Sequence, residues 1–158
     1  WYYEYSTPGI LSMNTVLDSS MTEDIRWIQR FNNWTKALDQ LTCFLDCEEL
    51  NDLELLGVVQ SFKCNHELAS NTLKDFLEAQ GVTELYGSRS VARKALEMGL
   101  IEDGEVWMDM VDSRNLTSYT YNEEVTEKIT VAIIDCYYDA FSMLHAKLKR
   151  LAEQELNG

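Results

Sequence analysis

Proline occurs once in this chain, at Pro8, and the long interior after it is rich in leucine, alanine, glutamate and lysine. A backbone without proline keeps every N–H free for helical bonding, and those residue types lose little side-chain freedom in a helix. An all-α protein is the natural expectation. At 158 residues and 46% hydrophobic, the chain supplies one domain with enough apolar material for a core.

Apolar residues recurring at three and four positions place the helices. From Thr22, residues Ile28, Phe31, Trp34, Leu38, Leu41 and Leu45 form one stripe, with Trp27 and Trp34 on nearly the same face. Asn51-Asp-Leu-Glu54 signals a second start, and that helix is expected to run to about Gln80, as the pattern ends there. Gly57 inside it costs roughly 1 kcal/mol against alanine, which close approach of a neighbouring helix explains. A loop bounded by Gly81 and Gly87 precedes a short helix, capped by Ser88 or Ser90, that carries Arg89, Arg93 and Lys94. This cluster reads either as a solvated face or as a phosphate-steering patch. Helices over about 105–115 and 123–153 complete an antiparallel bundle of four to five helices.

Residues 1–20 lack a helical period. Met21-Thr-Glu-Asp reads as a natural start, so 1–20 is an extension outside the 21–158 core, either of cloning origin or an arm that packs on a partner. No apolar run reaches the roughly 18 to 20 residues of a membrane span, and no signal peptide is visible. The four cysteines read as reduced and buried, which suits the cytoplasm. Cys64 and His66 would point roughly 200° apart on a helix, so zinc is not expected. His66 reads as a hydrogen-bonded buried or edge histidine, and His145 has no evident partner. The net charge of −14 argues against a general nucleic-acid coat but leaves room for a local basic site. Phosphate-binding glycine loops, serine elbows, HExxH and acidic metal clusters are lacking in the sequence, so neither cofactor nor metal is expected.

The link Ser113-Arg-Asn-Leu-Thr-Ser-Tyr-Thr-Tyr-Asn122 carries chemistry that helix packing does not need. Arg114 and Tyr119 stand about 140° apart on an ideal helix, so they converge only if the helix breaks between them. Such a break would gather Arg114, Ser118, Tyr119 and Tyr121 at one corner, with Thr120 and Glu123 at capping-box spacing for the restart. A guanidinium beside hydroxyls suits a phosphate.

Sequence runs along most of the chain carry a family likeness. They include Asp24-Ile-Arg-Trp-Ile-Gln-Arg-Phe31, Leu53-Glu-Leu55, Gln60-Ser-Phe62, His66-Glu-Leu-Ala69, Thr72-Leu-Lys-Asp-Phe-Leu77 and Leu85-Tyr-Gly-Ser-Arg89. Gly99-Leu-Ile-Glu-Asp-Gly-Glu-Val-Trp-Met108, Arg114-Asn-Leu-Thr-Ser118 and Tyr121-Asn-Glu-Glu124 continue it. In these runs the chain resembles the bacterial nucleotidyltransferase substrate-binding proteins. The resemblance implies a HEPN-like helical bundle that forms a homodimer and is paired with a minimal nucleotidyltransferase antitoxin. It also implies an RNA-cutting toxin that needs no metal.

The family's ribonuclease signature is arginine, four residues, histidine, one residue, tyrosine. Here it falls on Arg114, Tyr119 and Tyr121, with Asn115 and Ser118 in support. The resemblance implies that Arg114 binds the scissile phosphate, the residue at 119 handles protons, and Tyr121 accepts AMP from the partner. Tyr119 departs from the pattern, because histidine titrates near neutrality and tyrosine, near pKa 10, does not. Two readings follow: a toxin or its weakened form, or a non-catalytic binding partner of the nucleotidyltransferase.

Overall fold

The computed structural model describes residues 19–119 and 121–157, with side chains from Asp24 onward. Helix α1 spans Ser19–Leu45 and α2 spans Asp52–Ala79. The shorter α3, Ser88–Glu97, and α4, Gly104–Leu116, lie between this pair and the carboxy-terminal rod. That rod is α5, Glu123–Ala132, a π-helical turn over Ile133–Tyr137, and α6, Tyr138–Asn157. Among the described residues the architecture is thus five helical rods in an antiparallel bundle, as the sequence implied. The expected 1–20 extension lies outside the described residues, apart from Ser19 and Ser20, which open α1.

Helix α2 begins where its cap chemistry sits. The Asn51 side chain accepts from the Glu54 N–H at 2.8 Å, and the Glu54 carboxylate accepts from the Asn51 N–H at 3.1 Å. The cost of Gly57 has the anticipated reason: a Cβ there would meet the Phe44 ring of α1 at 3.1 Å. The core is aromatic, with Trp27, Trp34, Phe62, Trp107, Tyr137 and Phe141 almost wholly buried. Phe62 stacks on Tyr137 with centroids 5.2 Å apart, and Trp107 meets Phe141 edge-on at 5.8 Å. Asn65, fully buried, accepts from Trp34 Nε1 at 3.1 Å and donates to the Ala37 and Ser61 carbonyls. Burying such polar groups is tolerable only because they are paired.

Several expectations need correction. The last rod is not one regular helix, because the π turn inserts a residue at Ile133–Tyr137 and places Tyr137 inward with Cys136 exposed. The four cysteines are free but not buried: Cys43, Cys47 and Cys136 are exposed and Cys64 is partly so. His145 does have a partner, Thr35 Oγ1 at 2.7 Å, and its ring stacks on Phe31. Helix α3 is capped by neither Ser88 nor Ser90: Gly87 is the N-cap, without a side-chain bond to the first turn. Thr120 lies outside the described residues, and Asn122 caps α5 by accepting from the Glu124 and Val125 N–H groups.

Candidate functional site

The helix between Arg114 and Tyr119 does break. Helix α4 ends at Leu116, and a 3₁₀ turn over Thr117–Tyr119 follows. Thr117 closes the end by donating its hydroxyl to the Arg114 carbonyl at 2.6 Å and its N–H to the same oxygen. The Asn122 N–H then bonds the Tyr119 carbonyl at 3.0 Å, turning the chain into α5.

This break divides the expected residues between two faces. Tyr119 and Tyr121 sit on the outer lip, their rings edge-to-face with centroids 6.3 Å apart. Tyr121 is 84% exposed and Tyr119 half exposed. Ser118 is exposed on the same turn. Arg114 instead faces back toward α2 and α3, donating from Nη2 to the Glu67 carboxylate of α2 at 3.3 Å. Its guanidinium is therefore not spent on the carbonyls of its own helix end. Arg114 and Asn115 line a cavity of about 400 Å³ with Arg89 and Arg93 of α3, and Tyr119 is not among the lining residues.

The rest of the cavity wall comes from residues that read in the sequence as a loop and as helix caps. Tyr86, Ser88 and Ser90 contribute to it, and no carboxylate among the described residues does. The Arg89–Arg93–Lys94 cluster is split by helical spacing. Both arginines reach the cavity, whereas Lys94 pairs with Glu97 at 3.5 Å. Arg89 forms an ion pair with Asp112 of α4, joining the two helices across the site. Helix separation gives no sequence signal for that convergence.

Two buried groups support the corner from below. His66, one residue before the Glu67 that holds Arg114, lies 1% exposed beside the rings of Phe62 and Trp107. Its Nδ1 has no hydrogen-bond partner among the described residues, contrary to the expected hydrogen-bonded histidine. Burial lowers its pKa to about 4, aided by the positive charge of Arg114, so the ring is neutral near pH 7. Tyr137, brought in by the π turn, shares a 2.7 Å hydrogen bond with the Ser113 hydroxyl and donates to Asp109 at 2.8 Å. Burial and the Asp109 carboxylate outweigh the Ser113 bond and push its hydroxyl up to about 12. This chain ties α4 to the carboxy-terminal rod one residue before Arg114.

Fold and site together define a helical bundle with an arginine-lined recess beside an exposed pair of tyrosines. The chain belongs to the family of proteins described as "Nucleotidyltransferase substrate binding protein like", whose model matches residues 29–150. It is 29% identical over 105 residues to a Haemophilus influenzae protein named "Probable ribonuclease HepT", covering 64% of this chain and 72% of that one. A crystal structure of a Thermus thermophilus protein superposes with a TM-score of 0.67 at 27% identity, covering 73% of this chain and 98% of the other. A Haemophilus influenzae structure, described as showing the fold of a substrate-binding domain of a nucleotidyltransferase, aligns with a TM-score of 0.58 at 27% identity. It covers 80% of this chain and 98% of its own. Among the described residues no helix is long and apolar enough to cross a membrane.

Proposed function

We propose that the chain is the HEPN-type toxin of a toxin–antitoxin pair, a metal-independent endoribonuclease weakened by Tyr119. The observation that carries this reading is the break after Leu116. It leaves Arg114 at a helix end facing a recess lined by three arginines and, among the described residues, no carboxylate. The relative named as a ribonuclease supports it. In this reaction the RNA 2′-oxygen attacks the adjacent phosphorus and loses its proton. The bond to the 5′-oxygen breaks, and that oxygen takes up a proton. Arg114 offsets the charge on the phosphorane oxygens, and Asn115 and Ser118 offer polar contacts nearby. The nucleophile is supplied by the substrate, so no metal or cofactor is needed to generate one.

Tyr119 is the weak member, because proton transfer near neutrality calls for a group that titrates there. Restoring it is the test. Tyr119→His is expected to raise cleavage of single-stranded RNA about 10²–10⁴-fold over the chain as it stands, with toxicity in cells that lack the partner. A histidine variant that cuts no RNA and poisons no cells would leave the alternative reading, a non-catalytic binding partner of a minimal nucleotidyltransferase. The exposure of both tyrosines away from the arginine recess is the observation that favours that alternative.

The reading extends to partners and place. The protein acts in the cytoplasm as a homodimer whose two 113–122 corners face each other. Half-exposed Val131, Ile134 and Met143 on the carboxy-terminal rod offer apolar surface for the second copy. A monomeric mass in light scattering at micromolar concentration would count against the dimer. Tyr121, the more exposed tyrosine, is the residue that the nucleotidyltransferase adenylylates. Incubation with that partner and ATP is expected to add AMP to the peptide holding Tyr121, and an unmodified peptide beside an active partner control would reject the assignment.

A further inference from the structure

The recess between α3 and α4 gathers three guanidinium groups, more hydrogen-bond donors than one scissile phosphate requires. Arg89, Arg93 and Arg114 come from two helices and share one cavity, and no acidic residue among the described ones lines it, in a protein with 27 acidic residues. Chance placement of charge on a chain of net −14 does not favour such a wall. Two of the three arginines are ion-paired to carboxylates, Arg89 to Asp112 and Arg114 to Glu67. Arg93 is exposed and forms no ion pair or hydrogen bond among the described residues, so its charge is free for an incoming group. The first turn of α3 adds N–H groups that no side chain caps, with Ser88 and Ser90 beside them. At the rim Tyr86 is 85% exposed, which leaves its ring face open to solvent. A volume of about 400 Å³ falls in the range of ligand pockets, about 300–1,000 Å³.

We propose that this cavity is a second phosphate subsite for single-stranded RNA. Arg89, Arg93 and Arg114 hold a backbone phosphodiester neighbouring the one that is cut, and Tyr86 stacks on the adjoining base. The proposal deepens the ribonuclease reading and rests on it for the identity of the strand. Guanidinium forks match phosphate oxygens in geometry as well as charge, and an aromatic face accepts any base. Arg114 belongs to both the cavity and the 113–122 corner, so it links the held phosphate to the reacting one.

The test measures binding rather than cutting. A fluorescent 2′-O-methyl hexanucleotide, which lacks the attacking hydroxyl, is titrated with the full chain in anisotropy. Arg93→Ala is expected to weaken binding about tenfold and to lower the salt slope by about one. Tyr86→Ala is expected to weaken it about fivefold or more, within the usual worth of one stacked base. Lys36→Ala, which removes an exposed charge outside the cavity, serves as the control and is expected to change little. Equal losses for Arg93→Ala and Lys36→Ala, or no measurable binding by the unmodified chain, would overturn the subsite. Free AMP is titrated in parallel, and AMP binding as tight as the hexanucleotide with the same dependence on Arg93 would make this a mononucleotide site instead. A protein that binds through Arg93 yet cuts nothing as Tyr119→His keeps the subsite and loses the nuclease reading. A histidine variant that cuts equally well with and without Arg93, while the hexanucleotide ignores Arg93, loses the subsite alone.

Discussion

The α1–α2 side of the bundle and the α3–α4 corner treat polar groups in opposite ways. On the first, partners are internal: Asn65 serves Trp34 and two carbonyls, Thr35 serves His145, and Asp75 lies between Arg26 and Arg30. At the second, both tyrosines of the turn face solvent, and Arg93 has no ion pair among the described residues, while Arg89 and Arg114 pair with Asp112 and Glu67 near the surface. Charge left uncompensated at a surface recess repels like charge within the fold and stabilises little. On the proposed reading, the difference would separate residues that hold the bundle from residues that meet a ligand.

The largest expected effect tests that separation directly. In the Tyr119→His background, Arg114→Ala is expected to lower RNA cleavage about 10²–10⁴-fold, the scale of one lost charge-stabilising donor or proton-transfer group. Stability is expected to change by about 1 kcal/mol or less, because the Arg114–Glu67 pair is partly exposed and screened. A large drop in melting temperature with RNA cleavage intact would move Arg114 to the structural side.

Acid should expose the buried histidine next. The folded-state pKa of His66 is about 4 against an ordinary 6.5. Between those values the unfolded chain binds a proton that the folded chain refuses, so stability is fully present above pH 6.5 and falls as pH drops toward 4. The span of about 2.5 units corresponds to about 3 kcal/mol. His66→Phe, placing an apolar ring beside Phe62 and Trp107, is expected to flatten most of that slope in urea unfolding at about pH 7 and about pH 4.5. His145, also lowered by burial, leaves a residual slope of the same sign. An unchanged slope in His66→Phe would mean that the imidazole is solvated and belongs to the open corner.

A smaller loss is expected from Asn65→Ala, about 2 kcal/mol. It strands the buried Trp34 Nε1–H and leaves space between α1 and α2. Hexanucleotide binding is expected to stay within about twofold of the unmodified chain, a change worth under about 0.5 kcal/mol. Loss of binding in step with stability would erase the contrast between the two sides.

The structural side was the more legible one in the sequence, for a physical reason. Stripes such as Phe31-Trp34-Leu38-Leu41 and caps such as Asn51 with Glu54 are local, and helical periodicity alone determines where those side chains point. The break after Arg114 was legible for the same reason, from hydroxyls crowded between two helical patterns, although the cap is Asn122 and not the expected Thr120. The recess was not, because Arg89 and Arg93 meet Arg114 only through the crossing of α3 and α4. The π turn was equally silent: Ile133, Tyr137 and Phe141 keep a four-residue spacing that an ordinary helix also permits. Local spacing likewise carried no information on the exposure of Cys43, Cys47 and Cys136, which depends on what covers each helix face.

The smallest effect sharpens the boundary between the two sides, which runs through Tyr137. The π turn places its hydroxyl between Ser113 and Asp109, one residue from Arg114. Tyr137→Phe keeps the ring that stacks on Phe62 and removes only the hydroxyl. Asp109 is exposed to water and regains a partner there, while the buried Ser113 hydroxyl loses one. The net cost is therefore expected to be about 1 kcal/mol, the usual worth of one intramolecular hydrogen bond. Hexanucleotide affinity is expected to change less than about twofold, or about 0.4 kcal/mol, because the Thr117 bonds to the Arg114 carbonyl still hold the last turn of α4. Chemical unfolding and anisotropy on the same variant separate the two quantities. If affinity falls about tenfold, as expected of Arg93→Ala, while stability falls by only about 1 kcal/mol, the π turn positions Arg114, and the proposed binding side of the molecule reaches into its core.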